Sequence, residues 1–317
     1  MQQRTAPIGV LVLGLTAGLA VGTATPAAAQ GDPVGGSGNT YYLAGAGNRF
    51  GQAAEVFVYG DPGDEVYFGD FVDATGAVGG DGQDEPVVRR GNTFVIEGQG
   101  GTGFAYGDPG DTVLVGDWDG DGTDTLAVRR GNRYFVKNDL TTGRADSEFV
   151  YGDPGDTVLV GNWDSGSDSI DRPEPNVTDT LMVRRGNRFL VTNDTTPDVA
   201  EYEFVFGDPG DTVLAGDFAG PPSYGNDPDT PEWETDHRYP GYSGDGGDQL
   251  AVRRGNTYIL SEEVWFGRTS YWKHLTVIDS FAYGDPDDTA FVAAADVTYD
   301  DGSTSQTLTG DGIAVRR

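Results

Sequence analysis

The residues best placed to do chemistry are four aspartates crowded into one glycine-rich stretch, VGDWDGDGTDTLAVRRGN, at positions 115–132. Three of them, Asp117, Asp119 and Asp121, stand at alternating positions, and their negative charges repel one another. A hard cation cancels that repulsion. Calcium takes six to eight oxygen ligands, and its binding loops place carboxylates at positions 1, 3 and 5 with a glycine beside them. The spacing therefore predicts a calcium site.

Two further ligands would complete this loop, namely the carbonyl oxygen of Thr123 and the carboxylate of Asp124. Asp124 stands one residue earlier than the spacing of such a loop would choose, so capping of the following strand is an alternative role for it. The alternative for the whole cluster is a solvated acidic turn that needs no ion.

The stretch belongs to a repeat that occurs five times. Each copy contains a GDPGD-type turn, in which Pro fixes φ and Gly favours a tight turn, and each ends in VRR. The fifth turn has Asp287 in place of Gly, so we expect it to be strained or of another type. The turn motif is preceded by Tyr59, Tyr106, Tyr151, Phe206 and Tyr283, and the VRR motif ends at Arg90, Arg130, Arg185, Arg254 and Arg317. Repeats of this length decide the architecture before any other signal does.

The shortest copy predicts four strands, at 103–106, 112–118, 125–129 and 133–137, each rich in β-forming residues and bounded by turn residues. Four strands in about 45 residues is the size of a β-propeller blade. Counting from GN to VRR gives five units, 38–90, 91–130, 131–185, 186–254 and 255–317. We therefore predict an all-β fold, a β-propeller of five blades with four antiparallel strands each; an open array of stacked repeats is the alternative.

The two ends of the repeat region each carry half a unit. GNTYYL at 38–43 has no VRR before it, and AVRR at 314–317 has no GN after it, whereas every other VRR is followed by GN. Pairing of these segments would close the ring and remove two exposed strand edges. We predict that this pairing completes one blade.

The form GDWDGDGTDTLAV resembles the FG-GAP and VCBS repeats of integrin-like propellers, and the longer form resembles a repeat of secreted actinobacterial proteins. The resemblance covers residues 38–317 and implies calcium in DxDxDG loops, although integrin-type propellers usually have seven blades. Carried onto the other units, the motif decays. The implied metal residues there are Asp70, Asp73, Asp81 and Asp84 in the first unit, Asp164 in the third, and Asp217 and Asp245 in the fourth.

Each unit also carries a pair of arginines. In so acidic a chain, two arginines beside two turn aspartates predict bidentate ion pairs between elements. The alternative is a ring of arginines that binds an anionic glycan.

Composition narrows the functional classes. The 317-residue chain has no Cys and a formal net charge of −31, which disfavours nucleic acid as a partner. Residues 1–29 combine a basic start, an apolar run and a small-residue end, the layout of a secretory signal peptide, and 30–37 would be a short linker. We expect a secreted, extracellular monomer, with no membrane span after cleavage.

Signals for catalysis are weak. His237 and His274 lie outside the repeated positions, and no nucleophile or zinc motif is present. A glycoside hydrolase needs only two carboxylates and stays an alternative, as does a purely structural surface component. The long insertion at 219–247 offers Trp233, His237, Tyr239 and Tyr242 as candidate ligand contacts. We expect a non-catalytic, calcium-supported binding or adhesion module for a cell-wall or extracellular glycan or protein.

Overall fold

The computed structural model describes residues 33–44, 53–163, 178–192, 199–218, 248–263, 277–294, 297–300, 305–308 and 311–317. In this part of the chain all regular elements are strands, and 20 of the 22 form five four-stranded antiparallel sheets. The all-β, five-bladed propeller is confirmed. No helix in the described residues is long and apolar enough to cross a bilayer.

The blades follow the chain in order. Blade 1 contains β3 (Glu65–Gly69), β4 (Glu85–Arg90), β5 (Thr93–Ile96) and β6 (Gly103–Ala105). Blade 2 contains β7 (Thr112–Gly116), β8 (Thr125–Arg130), β9 (Arg133–Lys137) and β10 (Ser147–Val150). Blade 3 contains β11 (Thr157–Gly161), β12 (Thr180–Arg185), β13 (Arg188–Thr192) and β14 (Tyr202–Val205). Blade 4 contains β15 (Thr212–Gly216), β16 (Gln249–Arg254), β17 (Thr257–Glu263) and β18 (Val277–Ala282).

Blade 5 is assembled from both ends of the chain, in the order β19 (Thr289–Ala294), β22 (Asp311–Arg316), β1 (Thr40–Leu43) and β2 (Glu55–Val58). Strand β1 pairs with β22 in the register Tyr41–Arg316, and the backbones of Thr40 and Arg317 exchange hydrogen bonds of 3.1 and 2.9 Å. The predicted closure is therefore confirmed. A separate hairpin of β20 (Val297–Asp300) and β21 (Ser305–Leu308) lies between β19 and β22.

The first strand of each blade lies innermost, and these five strands are neighbours around the ring, with β19 next to β3. The counted sequence units are offset from the blades by two strands, because each blade begins after a GDPGD turn and not at GN. Residues 33–37, within the expected linker, also pack against the ring: Val34 is buried and its N–H donates to the Val66 carbonyl at 2.7 Å.

The core consists of five apolar clusters, one between each pair of neighbouring blades. Strand β7 shows why both faces of a strand are apolar. Val113 and Val115 pack toward blade 1, whereas Leu114 packs toward blade 3. Successive side chains of a strand point to opposite faces, so a blade that is covered on both sides needs an uninterrupted apolar run.

Candidate metal site

The acidic loop lies between β7 and β8, directly after the innermost strand of blade 2. Asp117, Asp119 and Asp121 each offer one carboxylate oxygen, and these oxygens lie within 4.8 Å of one another. Asp119 and Asp121 are exposed and Asp117 is half-buried. Among the described residues this is the group of three acidic side chains that could share an ion, and it contains three of the five ligands predicted for this loop.

The loop is wrapped around the carboxylate of Asp117. Its Oδ1 accepts hydrogen bonds from the N–H of Gly120 at 2.8 Å and of Asp121 at 3.2 Å, and its Oδ2 accepts from Gly122 at 2.8 Å. Gly120 and Gly122 have φ of 75° and 84°, a conformation in which other residues are strained. Burial raises the pKa of Asp117, and these three hydrogen bonds oppose that rise.

The two predicted ligands at the end of the loop have different surroundings. The N–H of Thr123 donates to Asp121 Oδ1 at 2.9 Å, so Thr123 belongs to the wrapped loop. Asp124 does not belong to the group of three. It is buried, and its Oδ2 accepts the N–H of Asp70 in blade 1 at 2.9 Å. The capping alternative for Asp124 thus has a structural counterpart, although the group that it caps lies in the neighbouring blade.

Every blade repeats the contact that Asp124 makes. In each blade one aspartate carboxyl group accepts a backbone N–H from the end of the innermost strand in the preceding blade. We call these five acceptors the aspartate ring: Asp84, Asp124, Asp179, Asp248 and Asp311. The bonds are Asp70 to Asp124 at 2.9 Å, Asp117 to Asp179 at 2.9 Å, Asn162 to Asp248 at 2.6 Å, Asp217 to Asp311 at 2.7 Å and Ala294 to Asp84 at 2.9 Å, donor named first.

The aspartate ring carries an electrostatic cost. Burial raises the pKa of all five carboxyl groups, and for Asp179 and Asp311 it does so to about 7 and about 8. Neighbouring charges add to the rise, as Asp311 and Asp124 do at Asp84. The backbone hydrogen bond that each carboxyl group accepts from the preceding blade opposes this rise.

The structure brings together only some of the metal residues predicted for the other units. In blade 1, Asp70 accepts the N–H groups of Asp81 at 2.8 Å and Gly82 at 2.7 Å, which reproduces part of the wrapped loop. Asp73 instead closes a local turn with Thr75 and Ala77. Asp84 belongs to the aspartate ring. Asp217 donates its backbone N–H to Asp311, and Asp164, Asp245, Trp233, His237, Tyr239 and Tyr242 lie outside the described residues.

The ion pairs predicted between the arginines and the turn aspartates are formed by the second arginine of each pair, whereas the first arginine binds backbone carbonyl oxygens. The second arginine of each pair binds both aspartates of the turn that leads into its own blade, as Arg130 binds Asp108 and Asp111 at 2.7 Å. The first arginine reaches the turn that leads into the next blade, as Arg129 donates to the carbonyl oxygens of Asp156 at 2.9 Å and Asp153 at 3.2 Å. The second-arginine pairs are Arg90–Asp64, Arg130–Asp111, Arg185–Asp156, Arg254–Asp211 and Arg317–Asp288.

Sequence reasoning missed Glu85, the first residue of β4. Its Oε2 accepts the N–H groups of Phe71 at 3.2 Å and Val72 at 3.1 Å, and burial raises its pKa to about 7. The corresponding positions in blades 2 and 3 hold Thr125 and Thr180. In blade 4 this position holds Gln249, whose Oε1 accepts the N–H of Phe218 at 2.8 Å as Glu85 accepts that of Phe71. A long polar side chain in place of Thr was therefore the available signal.

Comparison with known protein families found no matching family model, and no curated protein matched the sequence. The structure defines the class as a five-bladed β-propeller, and among the described residues the blade 2 loop brings three carboxylate oxygens within 4.8 Å of one another.

Proposed function

We propose that this chain is a secreted β-propeller that holds calcium in the blade 2 loop and serves as a non-catalytic binding or adhesion module at a cell surface or wall. One observation carries the metal part of the proposal: the oxygens of Asp117, Asp119 and Asp121 lie within 4.8 Å of one another in a glycine-wrapped loop. Calcium needs such a set of hard oxygen donors, and exposed positions leave room for water or carbonyl ligands.

The repeated polar residues support a scaffold more than a catalyst. In blade 2, Arg129, Arg130, Asp111 and Asp124 each bind another part of the chain. The GN motif does the same, since the Nδ2 of Asn132 donates to the Gly152 carbonyl at 2.9 Å. The anionic-glycan alternative for the arginines therefore has less to recommend it, because their guanidinium groups are already engaged.

The net charge and the N-terminal sequence support the proposed extracellular location. A net charge of −31 suits a soluble extracellular protein and disfavours nucleic acid. The layout of residues 1–29 supports export. The resemblance to FG-GAP and VCBS repeats supports a glycan or protein as the proposed partner.

A second candidate, a carbohydrate-active enzyme, is favoured by one observation. Glu85, at the start of β4, has a pKa raised to about 7 by burial, and the charges of Asp70 and Asp81 add to the rise. A glycoside hydrolase needs a protonated acid beside an ionised carboxylate. Glu85 already accepts two backbone N–H groups, which gives it a structural role and makes this the second choice.

One screen separates these functions. The purified mature chain would be tested for binding to peptidoglycan, soluble glycans and extracellular proteins, in calcium and in chelator, beside a panel of glycoside hydrolase substrates. Calcium-dependent binding without turnover supports the proposal. Turnover that is abolished by Glu85→Gln would favour the enzyme. If the chain shows no binding and no turnover, a structural surface component is favoured.

A further inference from the structure

The acidic loop of blade 2 is packed against a loop of blade 1 at two glycines. Gly80 lies between β3 and β4, and Gly122 lies between β7 and β8. A Cβ atom added to Gly80 would overlap the carbonyl oxygen of Gly122, and it would lie 2.5 Å from Asp70 Oδ2. Gly80 does not have the positive φ that favours glycine. Space, not backbone conformation, is what excludes a side chain there.

The blade 1 side of this contact is held firmly. The two carboxylate oxygens of Asp70 accept the N–H groups of Asp81 at 2.8 Å and Gly82 at 2.7 Å, immediately after Gly80. The backbone of Asp70 is itself joined to Asp124 by two hydrogen bonds. A displaced Gly80 therefore cannot relax without breaking bonds that fix the blade 1 loop.

The blade 2 side leads to a proposed calcium ligand. The N–H of Gly122 donates to Asp117 Oδ2 at 2.8 Å, while the carbonyl oxygen of the same residue faces Gly80. Residue Gly122 thus connects the blade 1 loop to the Asp117 carboxylate. A shift of the Gly122 carbonyl would carry its neighbouring peptide group with it and disturb the wrapping of Asp117.

We infer that Gly80, through its contact with the Gly122 carbonyl, is a positioning residue for the Asp117–Gly122 loop of the proposed calcium site. The inference rests on the proposed function for its calcium readout, but its structural part can be measured without calcium. Residues that orient metal ligands from outside the coordination sphere commonly change affinity when they are replaced.

The test compares three alanine variants. Gly80→Ala places a methyl group against Gly122. Gly155→Ala is the neutral control, since a Cβ there meets no atom within 4 Å and its φ is not positive. Gly216→Ala is the destabilising control, since a Cβ there would lie 2.6 Å from Asp311 Oδ2 at the junction of blades 4 and 5, away from the acidic loop.

Two readouts are taken on each folded variant. Calorimetric titration with calcium chloride should show affinity weakened about tenfold or more in Gly80→Ala, with both controls unchanged. Amide hydrogen exchange in chelator should be faster over residues 117–124 in Gly80→Ala only. A Gly80→Ala protein with wild-type exchange and wild-type calcium affinity overturns the inference.

The two proposals can fail separately. If the wild type binds no calcium, the proposed metal function fails, and the exchange measurement alone decides whether Gly80 positions the loop. If Gly80→Ala does not fold, Asp70→Asn replaces it, because an amide keeps one acceptor oxygen and loosens the blade 1 loop. Faster exchange over 117–124 in that variant supports the inference, and unchanged exchange overturns it.

Discussion

Asp124 in blade 2 and Asp70 in blade 1 hold each other by two hydrogen bonds. The Asp124 N–H donates to the Asp70 carbonyl at 2.8 Å, and the Asp70 N–H donates to the Asp124 carboxylate at 2.9 Å. The same carboxylate-to-backbone bond occurs at all five junctions, and it links the innermost strands into a closed ring. Asp124, which the sequence spacing suggested as a fifth calcium ligand, therefore joins two neighbouring blades in the structure.

The aspartate ring predicts different effects for two substitutions of Asp84, which accepts the Ala294 N–H at 2.9 Å where blade 5 meets blade 1. Asp84→Ala leaves that buried N–H without its acceptor and should cost about 1–3 kcal/mol of unfolding free energy. Asp84→Asn keeps an acceptor oxygen and replaces a buried carboxyl group whose ionised form is disfavoured by burial and by the charges of Asp311 and Asp124, so it should cost much less. Urea unfolding at neutral pH measures the unfolding free energy of both variants, and equal losses would contradict a hydrogen-bonding role for the Asp84 side chain.

Acid should weaken the turn ion pairs. The Arg130 guanidinium holds the pKa of Asp111 below its ordinary value, and Asp64, Asp156 and Asp211 are lowered in the same way by their own arginines. A carboxyl group with a lowered folded-state pKa stabilises the fold above its unfolded pKa, and this stabilisation is lost as pH falls through the folded value.

We therefore expect the unfolding free energy to fall as the pH is lowered below about 4. Asp111→Asn is the matched variant, because it lacks one titrating group and should show a shallower loss over the same range. Denaturation curves recorded at a series of acidic pH values measure the difference. Identical acid dependence in the variant and the wild type would show that the Asp111 pair does not contribute.

The closed blade 5 predicts a large effect of a core substitution in β1. Tyr41 is fully buried and packs against Phe57, Phe68 and Phe291 from blades 5 and 1. Tyr41→Ala should cost about 3–5 kcal/mol, as removal of a large buried aromatic side chain does. Val58→Ala on β2 is the control, since Val58 is 64% exposed. Similar melting temperatures for the two variants would contradict closure by β1.

Much of this fold can be predicted from sequence, because the repeat encodes it. Four GDPGD turns, one GDPDD turn and five VRR motifs set the number of blades. The unmatched half-units at 38–43 and 314–317 predict the closing strand pair. The arginine pairs were predictable for a similar reason. Arg130 and Asp111 recur together in every unit, and a charge that recurs with its opposite usually has a partner nearby.

The relationships between blades could not be predicted in the same way. Asp124 and Asp70 are 54 residues apart, and a spacing along one loop says nothing about which atoms a neighbouring blade presents to it. The approach of Gly80 to Gly122 is hidden for the same reason, since glycine has no side chain whose type could signal a contact. Glu85 could have been noticed as a departure from the repeat, but its backbone partners follow only from the folded loop.

Calcium binding by the blade 2 loop is tested most directly by the melting temperature and calorimetry of two proteins, the wild type and Asp119→Asn/Asp121→Ser. Binding to the native state alone adds about 2.7 kcal/mol at a hundredfold excess over Kd, so the wild type should melt higher in millimolar calcium and lower in chelator. Magnesium should substitute poorly, because it needs a tighter octahedral shell. The variant should respond weakly to calcium. A wild type whose melting is indifferent to calcium and which gives no binding heat would contradict the metal site and leave Asp117, Asp119 and Asp121 as a solvated turn.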